Sequence, residues 1–280
     1  MKYKLNYTML LILSSLLFWN CSSDDENSGT NPQNQNYFPL VVENQWNYEN
    51  TQTTDEASQT SAETLSVESE SNTENGSTYN LESTSTQAGV SFTSILSNGD
   101  VFKNDGKLLL SGNVDLDIDQ VEIPNFDINF EDLVVYDTQA VEGSILFTDD
   151  QVLNLPEFND ISLTLSLSIE SKSLGEFQNF DANGELYENV IGSEFIVSIG
   201  VDATTTVAPF PFPITIAVIE FQEVVNSTNY FANEVGLIQS ETNLNISFSE
   251  ELSQVPNFNL EDISSQIQQA LIDYQVSLED

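Results

Sequence analysis

An all-β fold is what this 280-residue sequence predicts: one large antiparallel sheet, closed as a barrel, curved as a half-barrel or stacked as a sandwich, with an amphipathic helix at its C-terminus. Two observations carry the prediction. Apolar residues recur at every second position along most of the chain. Turn dipeptides such as Asp105-Gly106 and Asn183-Gly184 punctuate those runs. The content of 39% hydrophobic residues, with 17 Phe, 9 Tyr and 2 Trp, is enough to fill a core.

The first element is not part of the fold. The chain opens MKYKLNYTMLLILSSLLFWNC, in which Lys2 and Lys4 precede an apolar run from Met9 to Trp19. That run is too short for a bilayer, which needs about 20 apolar residues, and it has the layout of a secretory signal. It leads directly to Cys21, the single cysteine, and then to Ser23-Asp24-Asp25-Glu26. This arrangement resembles a bacterial lipoprotein signal. In that family the cysteine thiol receives a diacylglyceryl group, the peptide is cut before it, and the new amino group takes a fatty acyl chain such as palmitate. The box departs from the usual one: Leu17 is one position early, and Trp19 and Asn20 are large. The acidic run resembles the export tag of Bacteroidota-type lipoproteins, which is associated with display on the outer face of the outer membrane. The resemblance implies a signal peptide over 1–20, an acylated Cys21 with an acidic tether over 21–36, and attachment to the outer membrane by the N-terminal lipid. It also implies passage through the lipoprotein processing and export machinery. Each buried methylene contributes about 0.8 kcal/mol, and stable attachment needs more than one chain. A tether of this length spans about 20 Å as a random coil.

A single domain is expected over 37–280. It begins YFPLVVENQWNY, where Trp46 and Tyr48 share one strand face. Leu65 and Val67 alternate with Ser66 and Glu68. Residues 90–119 read as a meander with turns at Asn98-Gly99 and Asp105-Gly106. ISLTLSLSIE, 161–170, alternates without a break, and a strand over 194–206 follows the Asn183-Gly184 turn. PITIAVIEFQEVV, 213–225, has apolar residues on both faces and reads as central. Strands near 230, 236–241 and 243–248 complete ten or more. In NLEDISSQIQQALIDYQ, Leu260, Ile263, Ile267, Ala270, Leu271 and Tyr274 recur at helical spacing, and Asn259 with Asp262 reads as a cap. A helix over 260–275 is therefore expected.

Composition excludes several chemistries. There is no histidine and no arginine, so a Ser-His-Asp triad, imidazole metal ligands and guanidinium phosphate clamps are all ruled out. Beyond Cys21 the three lysines Lys103, Lys107 and Lys172 face all 45 acids, a balance of -42. Nucleic acid is excluded as a partner, because its binding rests on basic residues neutralising phosphates. Carboxylate pairs, Ser-Lys chemistry and carboxylate-held metals remain.

Three motifs stand out. Asp115, Asp117 and Asp119 in VDLDIDQ present carboxylates at every second position, which reads as a strand with an acidic outer face or as a calcium site lacking the EF-hand glycine. Phe210 and Phe212 in VAPFPFPIT read as a buried pair beside a proline-blocked edge, or as an exposed lip for hydrophobic contact. IPNFD, LPEFN and VPNFN, at 123–127, 155–159 and 255–259, read as a shared strand-opening turn.

YFPLVVENQWNY is also similar to the opening of many uncharacterised secreted β-rich lipoproteins, and FANEVGLIQSET, 231–242, to their closing strand. Glu43 stands where that pattern has glycine, and Gln239 where it has lysine. The resemblance implies a curved antiparallel sheet and brings no catalytic residues with it. The expected function is a non-enzymatic surface lipoprotein with a binding or envelope-accessory role, its protein, glycan or lipid ligand open. The alternatives are a carrier of an apolar ligand in a half-barrel, and a glycan hydrolase using two carboxylates. No cofactor is expected beyond the calcium reading.

Overall fold

The computed structural model describes residues 35–73, 76–84, 90–115, 127–156, 161–206, 212–250 and 260–278. These residues form twelve strands and one helix. The strands are β1 (Gln45–Thr54), β2 (Ser58–Thr73), β3 (Gly76–Ser83), β4 (Gly99–Asn104), β5 (Lys107–Asp115), β6 (Asp127–Asp137), β7 (Ile145–Asn154), β8 (Ser162–Ala182), β9 (Glu185–Thr206), β10 (Pro213–Ala232), β11 (Gly236–Ile246) and β12 (Ile263–Gln275). The helix α1 (Phe92–Ser97) lies between β3 and β4. All twelve strands join one antiparallel sheet in the order β6-β5-β4-β3-β2-β1-β12-β11-β10-β9-β8-β7. Neighbours in sequence are neighbours in space everywhere except between β6 and β7. The result is an up-and-down barrel, nearly closed, with its seam there. β6 leans on β8 and β9 across the seam: Ser171 Oγ donates to Val134 O (2.6 Å), and Phe130 meets Phe195 edge to face at 6.2 Å.

Strand alternation sorts the faces as the sequence predicts. On β8, Leu163, Leu165, Leu167 and Ile169 are buried, and their cross-strand partners Ala203, Val201, Ile199 and Val197 continue the row on β9. Ser162, Thr164, Ser166 and Ser168 face outward. Apolar inside and polar outside is the reverse of a barrel that faces lipid. The Asp105-Gly106 and Asn183-Gly184 turns have φ of 48° and 81°, and 54° and 82°, the two consecutive positive φ values that a tight hairpin requires.

Asn98-Gly99 departs from that reading. Asn98 caps the C-terminus of α1 with φ -89°, and Gly99 opens β4. The 90–119 meander therefore contains a helical turn. Ser91 nucleates it through a capping box, accepting from Ser94 N (3.2 Å) while its own N–H donates to Ser94 Oγ (3.1 Å). Phe92, Ile95 and Leu96 point from α1 into the core.

The larger correction concerns the C-terminus. There is no helix over 260–275; the segment is strand β12, inserted between β1 and β11. Ile263, Ile267 and Leu271 are four apart, a spacing shared by one helix face and one strand face. The residues between them at even offsets, Ser265 and Gln269, are polar and hide the alternation. Asp262 is no N-cap: its Oδ1 accepts from Phe248 N (2.9 Å). Closure decides the matter, because without β12 both β1 and β11 would expose an open edge.

The two segments that resemble other lipoproteins meet at one end of the barrel. Phe38 stacks on Trp46 (4.8 Å) and touches Phe231 edge to face (6.0 Å). Trp46 Nε1 donates to Val235 O (2.6 Å), and Tyr48 Oη to Leu237 O (2.9 Å). Gly236, at φ +118°, sits so close that a Cβ there would lie 2.6 Å from Trp46 Nε1. Glu43 has φ +76°, a backbone conformation that favours glycine.

The two ends of the barrel differ. The chain arrives at one end through Asn36, whose carbonyl accepts from Glu234 N (2.7 Å) and whose Oδ1 accepts from Lys103 Nζ (2.8 Å). The same end carries the short β4–β5, β8–β9 and β10–β11 turns. The β5–β6, β7–β8, β9–β10 and β11–β12 connections, all longer than these, leave from the opposite end, as does the short β1–β2 turn.

Candidate functional site

Most of the residues singled out in the sequence lie outside the described residues: Cys21, Ser23, Asp24, Asp25 and Glu26, Asp117 and Asp119, and Phe210. Asp115 ends β5, paired with Asp127 of β6. Phe212 precedes β10 and is 72% exposed. Pro213 opens β10 opposite Thr206 of β9, and Pro209 and Pro211 lie outside the described residues. Asp115 and Phe212 lie at or beside strand ends at the end of the barrel opposite Asn36; VPNFN lies outside the described residues, as do all of IPNFD but Asp127 and all of LPEFN but Leu155 and Pro156. Among the described residues no group of three or more His, Cys, Asp or Glu could hold a metal ion.

Two polar clusters that the sequence reading missed are the chemical features of the barrel. The first is closed. Glu63 of β2 is 2% exposed. Its Oε1 accepts from Thr93 Oγ1 (2.6 Å) and Ser83 Oγ. Its Oε2 accepts from Gln269 Nε2 (2.9 Å) and Asn50 Nδ2. Gln269 Oε1 in turn accepts the N–H groups of Phe92 and Thr93 at the start of α1 (3.1 and 3.3 Å). None of these partners is charged. Four donors surround one carboxyl group: Thr93 comes from α1, Ser83 from β3, and Asn50 and Gln269 from β1 and β12, where they lie directly opposite one another in the register. Fully satisfied, such a network fixes one arrangement of the strands. Its neighbour Tyr48 is driven well above the ordinary phenol value by burial, then by the nearby Glu63. Burial, with Glu176 nearby, pushes Tyr37 up to about 12.

The polar interior continues through Ser240 and Thr242 on β11 to Ser227 and Asn229 on β10, all at 0–1% exposure. Ser227 Oγ meets Thr242 Oγ1 at 2.8 Å. Atoms that a water-sized sphere cannot touch line no cavity, so this part of the interior is filled by side chains.

The second cluster is open. On the outer face, β10 and β11 form a groove of about 310 Å³ lined by Glu223, Val224, Asn226, Asn243 and Asn245. Asn226 and Asn243 are cross-strand partners. A register shift between Glu223 and Val225 turns Val224 inward and leaves Glu223 and Asn226 both facing out. Each amide has one end fixed by the protein. Gln266 Nε2 donates to Asn243 Oδ1 (3.0 Å), and Ser264 Oγ to Asn245 Oδ1 (2.9 Å). Asn226 Nδ2 donates to Glu223 Oε1 (2.8 Å) and Glu194 Oε1 (3.0 Å). The opposite ends, Asn243 Nδ2, Asn245 Nδ2, Asn226 Oδ1 and Glu223 Oε2, have no hydrogen-bond partner among the described residues. Phe221, two residues before Glu223, is 62% exposed. Its backbone lies over Gly200, where a Cβ would come within 3.1 Å of Phe221 Cα.

Nearby, Lys172 is held to Glu170 (2.6 Å). That hydrogen bond raises its pKa above the ordinary lysine value, burial opposes it, and Glu194 and Glu223 add to the rise. A groove of this kind can bind through hydrogen bonds; Glu223 and Glu194 are both engaged by the Asn226 amide.

No family model matches the chain. No curated protein matches it. Among solved structures, it is similar to a protein from Parabacteroides distasonis provisionally designated a lipoprotein, at 9% identity and a TM-score of 0.35, over 86% of this chain and 99% of that one.

Proposed function

We propose that this protein is a non-enzymatic lipoprotein, held in the outer membrane by acyl chains on Cys21 and displayed toward the exterior to bind a ligand at its outer face. The observation that carries the reading is the juxtaposition in LFWNCSSDDEN of an apolar run, a single cysteine and an acidic tag. The fold supports it. The chain comes into the barrel through Asn36 at the short-turn end. The polar outer face suits water, and the packed Ser227–Thr242 region favours display over carriage of an apolar ligand inside the barrel.

Cys21→Ser tests the anchor. The expected outcome is loss of lipid mass from the N-terminal peptide and release from the membrane fraction. Unchanged partitioning would overturn the proposal. Replacing Asp24, Asp25 and Glu26 by alanine tests display: the protein should stay acylated yet become inaccessible to protease added to intact cells.

A further inference from the structure

We propose that the β10–β11 groove is a binding site for an uncharged oligosaccharide, with Phe221 as the stacking platform at one end. The inference names the ligand class of the display function proposed above and rests on that reading for its biological setting. Its physical basis is separate. A sugar presents vicinal hydroxyls, each both donor and acceptor, on a ring with an apolar C–H face. The groove offers the matching set: two amide donors on the β11 side, Asn243 Nδ2 and Asn245 Nδ2, and two acceptors on the β10 side, Asn226 Oδ1 and Glu223 Oε2. Each is aimed by a protein hydrogen bond at the far end of its own group, so little side-chain freedom is lost on binding. Phe221 precedes Glu223 by two residues on β10, at the register shift between Ile219 and Gln222 that breaks the regular strand. An aromatic ring 62% exposed beside a polar groove gives an apolar surface to the C–H face.

Charge selects among sugars. Glu223, Glu194 and Glu241 surround the groove, and the whole chain carries -40. Uronate and sulfated chains are repelled, and the lack of arginine leaves no bidentate partner for their anionic groups. The groove takes in the middle of β10 and the part of β11 toward the long-connection end.

The test uses the purified full-length protein and titration calorimetry against hexamers of glucose, mannose, xylose and galactose, with oligogalacturonate as the anionic comparison. At least one neutral hexamer should bind and the anionic chain should not. Phe221→Ala and Asn243→Ala should each weaken binding about tenfold or more, equivalent to about 1.4 kcal/mol, with unchanged circular dichroism. Thr60→Ala, on a distant outward position, should have no effect. Absence of binding to every neutral hexamer, stronger binding of oligogalacturonate, or affinity unmoved by both groove substitutions would overturn the proposal. Cys21→Ser separates the two readings: solubilised protein should keep its glycan affinity while losing its place at the cell surface.

Discussion

Glu63 and Glu223 stand in clusters built from the same residue types, yet the two clusters do opposite things. Around Glu63, carboxyl, amide and hydroxyl groups satisfy one another and exclude solvent. Around Glu223, each amide satisfies the protein with one end and leaves the other in the groove. Saturation makes the first a structural lock; half-saturation makes the second a surface prepared for a ligand. The difference comes from which face of the sheet each occupies. Inward groups are buried and must find partners, because a buried unpaired polar group costs about 1–3 kcal/mol. Outward groups are under no such constraint, since water fills any vacancy.

Glu63→Ala should break this comparison hardest. It strands the donors of Asn50, Ser83, Thr93 and Gln269 and leaves a void, and we expect a loss of about 3–5 kcal/mol by urea denaturation. Glu63→Gln keeps the shape but turns one acceptor into a donor facing other donors, and should cost about 1–3 kcal/mol. A loss below 0.5 kcal/mol for both would show that the network is not a lock.

Glu43→Gly separates backbone strain from side-chain bonding. The φ of +76° at Glu43 disfavours any side chain, so glycine there should stabilise the barrel by about 1 kcal/mol. A melting temperature that falls instead would mean that the Glu43 side chain outweighs its backbone. The smallest effect belongs to the groove. Asn243→Ala should change stability by no more than about 0.5 kcal/mol, since the site is outward and open. A large destabilisation there would erase the distinction between lock and groove.

The sequence held more of the closed cluster than its alternation first suggested. Glu63 shares parity with Leu65 and Val67, Asn50 with Trp46 and Tyr48, and Gln269 with Ile267 and Leu271. Each is a polar residue on a face whose other members are apolar, and that is the readable sign of a buried polar group. What could not be read was their convergence, which depends on the pairing of β1 with both β2 and β12. The same non-local pairing explains the C-terminal segment. A four-residue spacing fits helix and strand alike, and only the open edges of β1 and β11 favour the strand. The groove left a fainter sign, since Asn226, Asn243 and Asn245 are ordinary outward residues until two strands set them side by side.

The sequence by itself determined the strand periodicity, the two tight Gly-containing hairpin turns, the acidic exterior and the chemistries that a chain without histidine or arginine cannot perform. These follow from local steric preference and from residue type, which each short segment carries alone. The tertiary structure decided the closure of the barrel by β12, the register that assembles the Glu63 network, and the placement of Asn243 across from Asn226. Those depend on contacts between residues far apart in the chain, fixed only when every strand buries its inner face at once.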